Sequence, residues 1–149
     1  MSLQTDRIFL AALRASTDIA ARVGDRIFPI AIPGSDDDLL NIALPYIVVT
    51  FDGLQNSIDT KDNPYMGDED KVQIGIEIGA ESPDGLSDLA DLVREQIDTF
   101  ITSYTPAEGE EDLTPLIPSG YDFSTSEKSY DWMRPCYYMK MIYNCDTSI

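Results

Sequence analysis

The sequence predicts an α/β (α+β) sandwich, a mixed, mostly antiparallel sheet with two main helices packed on it. Three observations predict it. From Lys71 to Gly79 apolar and polar residues alternate strictly, so Val72, Ile74, Ile76 and Ile78 share one face of a strand. The chain then turns at once into a helical period between Ser82 and Ile101, with Leu86, Leu89, Val93, Ile97 and Ile101 recurring at three and four. Strand-like runs lie before and after this unit, so early and late strands can close on one core with the helix between them.

In chain order, a first helix is expected over Leu3 to Arg14, with Ile8, Phe9, Ala12 and Leu13 as its apolar stripe. Ser16-Thr17-Asp18 interrupts it, and Thr17 is placed to cap a second helix from Asp18 to Val23, ended by Gly24. Arg26-Ile27-Phe28-Pro29 reads as a short strand whose proline belongs at a sheet edge or a strand end. Residues Ala31 to Leu44 read as a connection with an unusual load of Leu39, Leu40, Ile42 and Leu44. They pack locally as a turn of helix or cover a neighbouring subunit. Pro45 to Phe51 is a strand rich in β-branched and aromatic residues. Asp52 to Asp70 and Thr105 to Gly120 show neither period, and loops this long in a small domain are functional, ordered by partners, or flexible. Strand character returns at Tyr121 to Ser124 and at Pro135 to Asn144.

The 149 residues suffice for one domain with its own core, read as a single unit over 1–149. A formal charge of −17 argues against holding nucleic acid through its phosphates or binding an anionic membrane surface. No apolar run reaches the roughly 18 to 20 residues that span a bilayer, and Met1 to Asp6 lacks the pattern of a signal peptide, so a cytosolic chain is expected. Cys136 and Cys145 sit on one extended segment, up to about 30 Å apart, so buried thiols are expected unless the chain reverses between them.

The chain offers little with which to do chemistry. It has no histidine, which removes the usual general base and the commonest transition-metal ligand. No phosphate-binding glycine motif and no nucleophile elbow occurs, and Gly75 and Gly79 read as glycines that ease strand packing. Asp59, Asp62, Asp68, Glu69 and Asp70 crowd one loop, but their spacing fails the calcium-loop pattern, so a solvated acidic loop is the simpler reading. Asp88, Asp91, Glu95 and Asp98 mark the polar face of the long helix, either simply solvated or turned toward a channel or a basic partner. Tyr130, Trp132, Tyr137, Tyr138 and Tyr143 form a core edge or an interface. A base-stacking platform would need more cations than Arg134 and Lys140. No cofactor, metal site or catalytic residue is expected, and the chain is read as no enzyme.

Taken in order, the opening helix, Ala20-Ala21-Arg22-Val23-Gly24-Asp25-Arg26-Ile27-Phe28-Pro29, Leu44-Pro45-Tyr46-Ile47-Val48-Val49 and the strand-to-helix unit Val72 to Ile101 resemble the small tail-component family of long-tailed phages. That family includes the lambda-type tail terminators, and the resemblance covers about the first two thirds of the chain. It implies an α/β domain that assembles into a ring, commonly a hexamer, at the end of the tail tube. The implied partners are further copies of itself, the major tail tube protein and the head-tail connector protein, without specific nucleic-acid binding and without membrane. The implied location is the host cytoplasm during assembly and then the virion tail.

A domain of this length has a diameter near 38 Å, and six in a ring leave a gap of about the same width, enough for duplex DNA. On this reading Leu39, Leu40, Tyr65, Met66, Glu110, Glu111 and Trp132 are interface candidates, and Asp91, Glu95 and Asp98 line the lumen. The alternatives are an acidic binding protein or DNA-mimic inhibitor of a basic partner and a carboxylate-based metal enzyme.

Overall fold

The computed structural model describes residues 2–32, 43–57 and 69–148. A short 3₁₀ turn at Ser2–Gln4 leads into α1, Asp6–Arg14, so the first helix starts three residues after the expected Leu3, with its apolar stripe intact. The second helix, α2, covers Thr17–Val23. Its cap is Ser16 rather than Thr17: the Ser16 hydroxyl accepts the Ile19 amide at 3.2 Å from an extended backbone, which fills one orphan donor of the first turn. Gly24 ends α2 at φ 62°, a backbone angle that costs glycine nothing. The long helix α3, Pro83–Ser103, opens on Pro83, with the Ser82 hydroxyl accepting the Gly85 amide at 3.0 Å. Ser82 is the start that the helical period marks.

Among the described residues the sheet has six strands: β1 Ile27–Pro29, β2 Tyr46–Ser57, β3 Glu69–Ala80, β4 Gly120–Thr125, β5 Ser129–Asp131 and β6 Cys136–Ser148. The order is β1-β2-β3-β6-β4, with β5 beside the first residues of β6. All pairings are antiparallel except β1 with β2. Because β4 pairs with Met141 to Asp146 and β5 with Cys136 to Tyr138, the two make one interrupted edge. Ser126 splices the gap, its amide donating to the Lys140 carbonyl and its hydroxyl accepting the Lys140 amide.

The three helices cover one face of this sheet. Ile47 and Val49 of β2, Val72 to Ile78 of β3 and Met139 to Cys145 of β6 send alternate side chains under α1, α2 and α3, where Ile8, Phe9, Leu13, Leu86, Leu89, Val93 and Ile97 meet them. The two main helices of the expected sandwich are thus α1 and α3, with α2 as a short third. Tyr143 sits in this core with ring centroids 5.1 to 5.6 Å from Phe9, Tyr121 and Phe123. On the opposite face a smaller cluster, Tyr46, Val48 and Cys136, is flanked by Phe28, Ile32 and Leu44.

Of the two stretches expected to be loops, the first needs correction, and the second is irregular as expected apart from one short 3₁₀ turn. Strand β2 runs on to Ser57 and β3 begins at Glu69, and the ladder hides from a period-two reading because its register shifts between Phe51 and Gly53. Asp52 is the extra residue of that bulge, and the phase change turns Leu54 onto the core. The far end of this hairpin is polar but paired, with Asn56 Nδ2 donating to Asp70 Oδ1 at 2.6 Å. Of the acidic residues assigned to a loop, Glu69 and Asp70 therefore lie in a strand, and Asp59, Asp62 and Asp68 fall outside the described residues. The Thr105 to Gly120 segment holds a 3₁₀ turn, Thr114–Leu116, that buries Leu116 and packs Leu113 and Ile117 on the core. The Tyr104 hydroxyl accepts the Leu113 amide at 3.0 Å, and Asp112 Oδ1 accepts the Thr114 amide at 2.9 Å, so the segment is pinned at its middle.

Candidate interaction surface

The connection between β5 and β6 is built around one carboxylate. Asp131 Oδ1 accepts the amides of Met133 and Arg134 at 2.9 and 3.3 Å, while Oδ2 meets Arg134 Nε at 3.2 Å. Partial burial alone would raise the Asp131 carboxyl, but the two amides and the guanidinium outweigh it and hold it below the usual aspartate range. Behind the turn, Tyr130 stands edge-on to Trp132 at 4.7 Å and to Tyr137 at 4.9 Å. The result is a fixed turn that presents Trp132 and Met133 to solvent at 85% and 75% exposure. Together with Leu3 and Ile30 they are the large apolar side chains left exposed among the described residues. An exposed tryptophan on an ordered turn is the composition of an interface anchor.

The open face of the sheet is polar by comparison. Lys140 Nζ reaches Asp52 Oδ2 at 2.8 Å across Gly75, where a Cβ would overlap both side chains and Thr50. The Tyr46 ring lies over Gly79 in the same way. These two glycines ease packing, as expected, and the agent in each case is a side chain on the open face. At the strand end β1 passes into Ile30 with φ 71°, a left-handed angle unusual for a β-branched residue, held by the Ile30 amide on the Val49 carbonyl at 2.8 Å.

The expected lumen series divides. Asp91 and Glu95 are exposed on α3, as is Asp88. Asp98 is half-buried and accepts the hydroxyl of Tyr121, so it belongs to the packing between α3 and β4 and not to an open face. Burial and the Asp98 carboxylate together push the Tyr121 hydroxyl well above the ordinary tyrosine range. Arg94 lies between these carboxylates in sequence and stacks 4.3 Å over Phe123, which breaks the face into patches.

Of the interface candidates, Glu110 and Glu111 are exposed, and Glu111 is tied to Arg7 at the start of α1. Leu39, Leu40, Tyr65 and Met66 lie outside the described residues. The aromatic group splits three ways: Tyr143 enters the core, Tyr130, Trp132 and Tyr137 form the turn, and Tyr138 stands on the open face of β6. Met133 and the anchoring role of Asp131 escaped the sequence reading. The signal was there, since aspartate two and three residues before free amides, with Pro135 closing the run, is an Asx-turn pattern.

Both cysteines are buried and free. Burial lifts the Cys136 thiol and pushes Cys145 up to about 12, so neither is poised as a thiolate. Among the described residues no three carboxylates or thiols gather as a metal-binding group, and no helix is long and apolar enough to cross a membrane.

No family model and no curated protein matches the chain. Among solved structures, a chain from the virion of native gene transfer agent (GTA) particle matches 97% of this chain and 94% of its own length, with a TM-score of 0.59 and 13% identity. The likeness is therefore one of fold, and it runs nearly end to end.

Proposed function

We propose that the chain is a structural subunit of a phage or prophage particle, a ring-forming tail terminator or head-tail joining subunit that caps the tail tube and lets DNA pass. The observation that carries this reading is the nearly full-length fold likeness to a virion chain, and the resemblance of the first two thirds to tail components narrows it to the tail. A non-enzymatic role accords with both. Its partners on this reading are further copies of itself, the tail tube protein and the head-tail connector protein. The acidic surface faces the DNA path, where it keeps a passing duplex from sticking.

The test is co-expression with a tail tube protein of the same phage or prophage. Tubes of defined length, with rings of this chain at one end in electron micrographs, are expected. Tubes whose length ignores the chain, with no density at their ends, would falsify the terminator reading. Tight binding of a monomer to a single basic protein would favour an acidic inhibitor instead.

A further inference from the structure

Both flanks of the sheet end in strands paired on one side only. On one flank β1 covers β2 from Ile47 to Val49, so the outward side of β2 from Thr50 to Ser57 meets no strand among the described residues. On the other flank β4 pairs with β6 inwards and with no described strand outwards. The registers set these two edges at one height. Across the ladders Gln55 lies level with Lys71, Asp146 and Gly120, and Phe51 lies level with Ile74, Tyr143 and Phe123. Three successive antiparallel pairings also make β4 run opposite to β2. Two copies set flank to flank with the same end up therefore bring β4 against β2 in the antiparallel sense, with no shift along the strands.

Sheet edges are ordinarily guarded by lysine, proline or a bulge, because an unpaired row of amides and carbonyls invites another strand. Neither Thr50 to Ser57 nor Gly120 to Thr125 holds a lysine, arginine or proline. The bulge at Asp52 is the one such device on β2, and its ladder to β3 resumes regularly from Gly53 to Ser57. On the helical face, Phe51 and Leu54 at one flank and Tyr121 and Phe123 at the other pack on the core yet stay only partly buried. The same alignment sets Leu54 beside Tyr121 and Phe51 beside Phe123, so a joint there extends the core from copy to copy. Asp52 and Asp122 are the charged residues of the two edges, and Asp52 is already met by Lys140.

We propose that β2 of one copy and β4 of the next pair as antiparallel strands, continuing the sheet from subunit to subunit. The inference rests on the ring reading above and names the contact that reading lacks. A closed ring of one subunit needs a heterologous interface between two different patches, and these edges lie on opposed flanks of one sheet. The occupant is a second copy because height, direction and apolar row all match within this chain.

The experiment uses the full-length protein with a photo-reactive benzoylphenylalanine in place of Gln55, mixed with an equal amount of isotope-labelled wild type, both free at high concentration and on tube ends. Irradiation is expected to link position 55 to labelled residues between Gly120 and Thr125, the label marking the link as one between copies. In parallel, amide hydrogen exchange of the unmodified wild type should slow at least about tenfold on assembly in both 50–57 and 120–125, as newly bonded edge amides do. Links from position 55 to position 55, links between copies only elsewhere, or protection of one edge alone overturn this pairing and leave the ring reading standing. Links from position 55 to the tube protein alone assign the β2 edge to that partner and overturn it as well. A chain that neither associates nor appears on tube ends overturns both.

Discussion

Asp131 gives the turn its order, so its titration should be visible in the side chain it presents. Its carboxyl is held below the ordinary aspartate range in the folded chain. The order it contributes is therefore fully present above the unfolded value of about 3.9 and is lost only as pH falls through the lower, folded one. Trp132 is the only tryptophan of the chain, which makes fluorescence anisotropy a direct probe. Wild type should hold its anisotropy from neutral pH to about 4 and lose it below that range, whereas Asp131→Ala should start low and stay flat. Identical acid profiles would assign the order of the turn to the Tyr130 and Tyr137 rings instead. Gly79 offers a second test at this scale. A Cβ there overlaps the buried Tyr46 ring, so Gly79→Ala should cost about 1 to 3 kcal/mol by overpacking. At Gly120 an added Cβ meets nothing within 4 Å, and Gly120→Ala should stay within about 0.5 kcal/mol in the same denaturant titration.

Whether an element was legible in the sequence depended on whether one physical rule governed its whole length. The β3-α3 unit obeys two clean periods, and all of Val72, Ile74, Ile76, Ile78, Leu86, Leu89, Val93, Ile97 and Ile101 are buried as the periods require. Ile76 and Val93 both lie in that core with no exposure, so Ile76→Ala or Val93→Ala should cost roughly 1 to 4 kcal/mol, read from the shift in denaturant midpoint at constant slope. Losses under about 0.5 kcal/mol at both sites would put the strand in the wrong phase. The outer half of the β2-β3 hairpin was invisible because the bulge at Asp52 changes phase mid-strand and, past Leu54, the β2 residues Gln55, Asn56 and Ser57 are all polar. The 105–119 segment was opaque for another reason: its order comes from single hydrogen bonds, such as Tyr104 to Leu113, and from the buried Leu116 and Pro118, and neither leaves a period. The candidate surface was half legible, since Trp132 stood out by type, while the order of its turn comes from the hydrogen bonds of Asp131 to the Met133 and Arg134 amides, which leave no period.

For the whole molecule, the proposed ring makes the charge of −17 a lining for a DNA path where an isolated domain would use it for solubility alone, and α3 allows the two to be separated. Asp91 and Glu95 are exposed, so reversing them to lysine should leave the melting temperature nearly unchanged. Asp98 is the internal control: it is half-buried against Tyr121, and Asp98→Lys would strand a cation beside that hydroxyl, so this variant should melt at a clearly lower temperature. Rings assembled from the Asp91→Lys/Glu95→Lys chain, if α3 faces the lumen, present new cations to the duplex and should retain DNA at low ionic strength. They should release it as salt rises, because each phosphate contact displaces counterions and screening shortens the reach of the rest. Wild-type rings should retain none under either condition. A reversed ring that ignores DNA at low salt as completely as the wild type would turn α3 away from the lumen and leave the exposed Glu108 to Asp112 run as the acidic surface to reverse next.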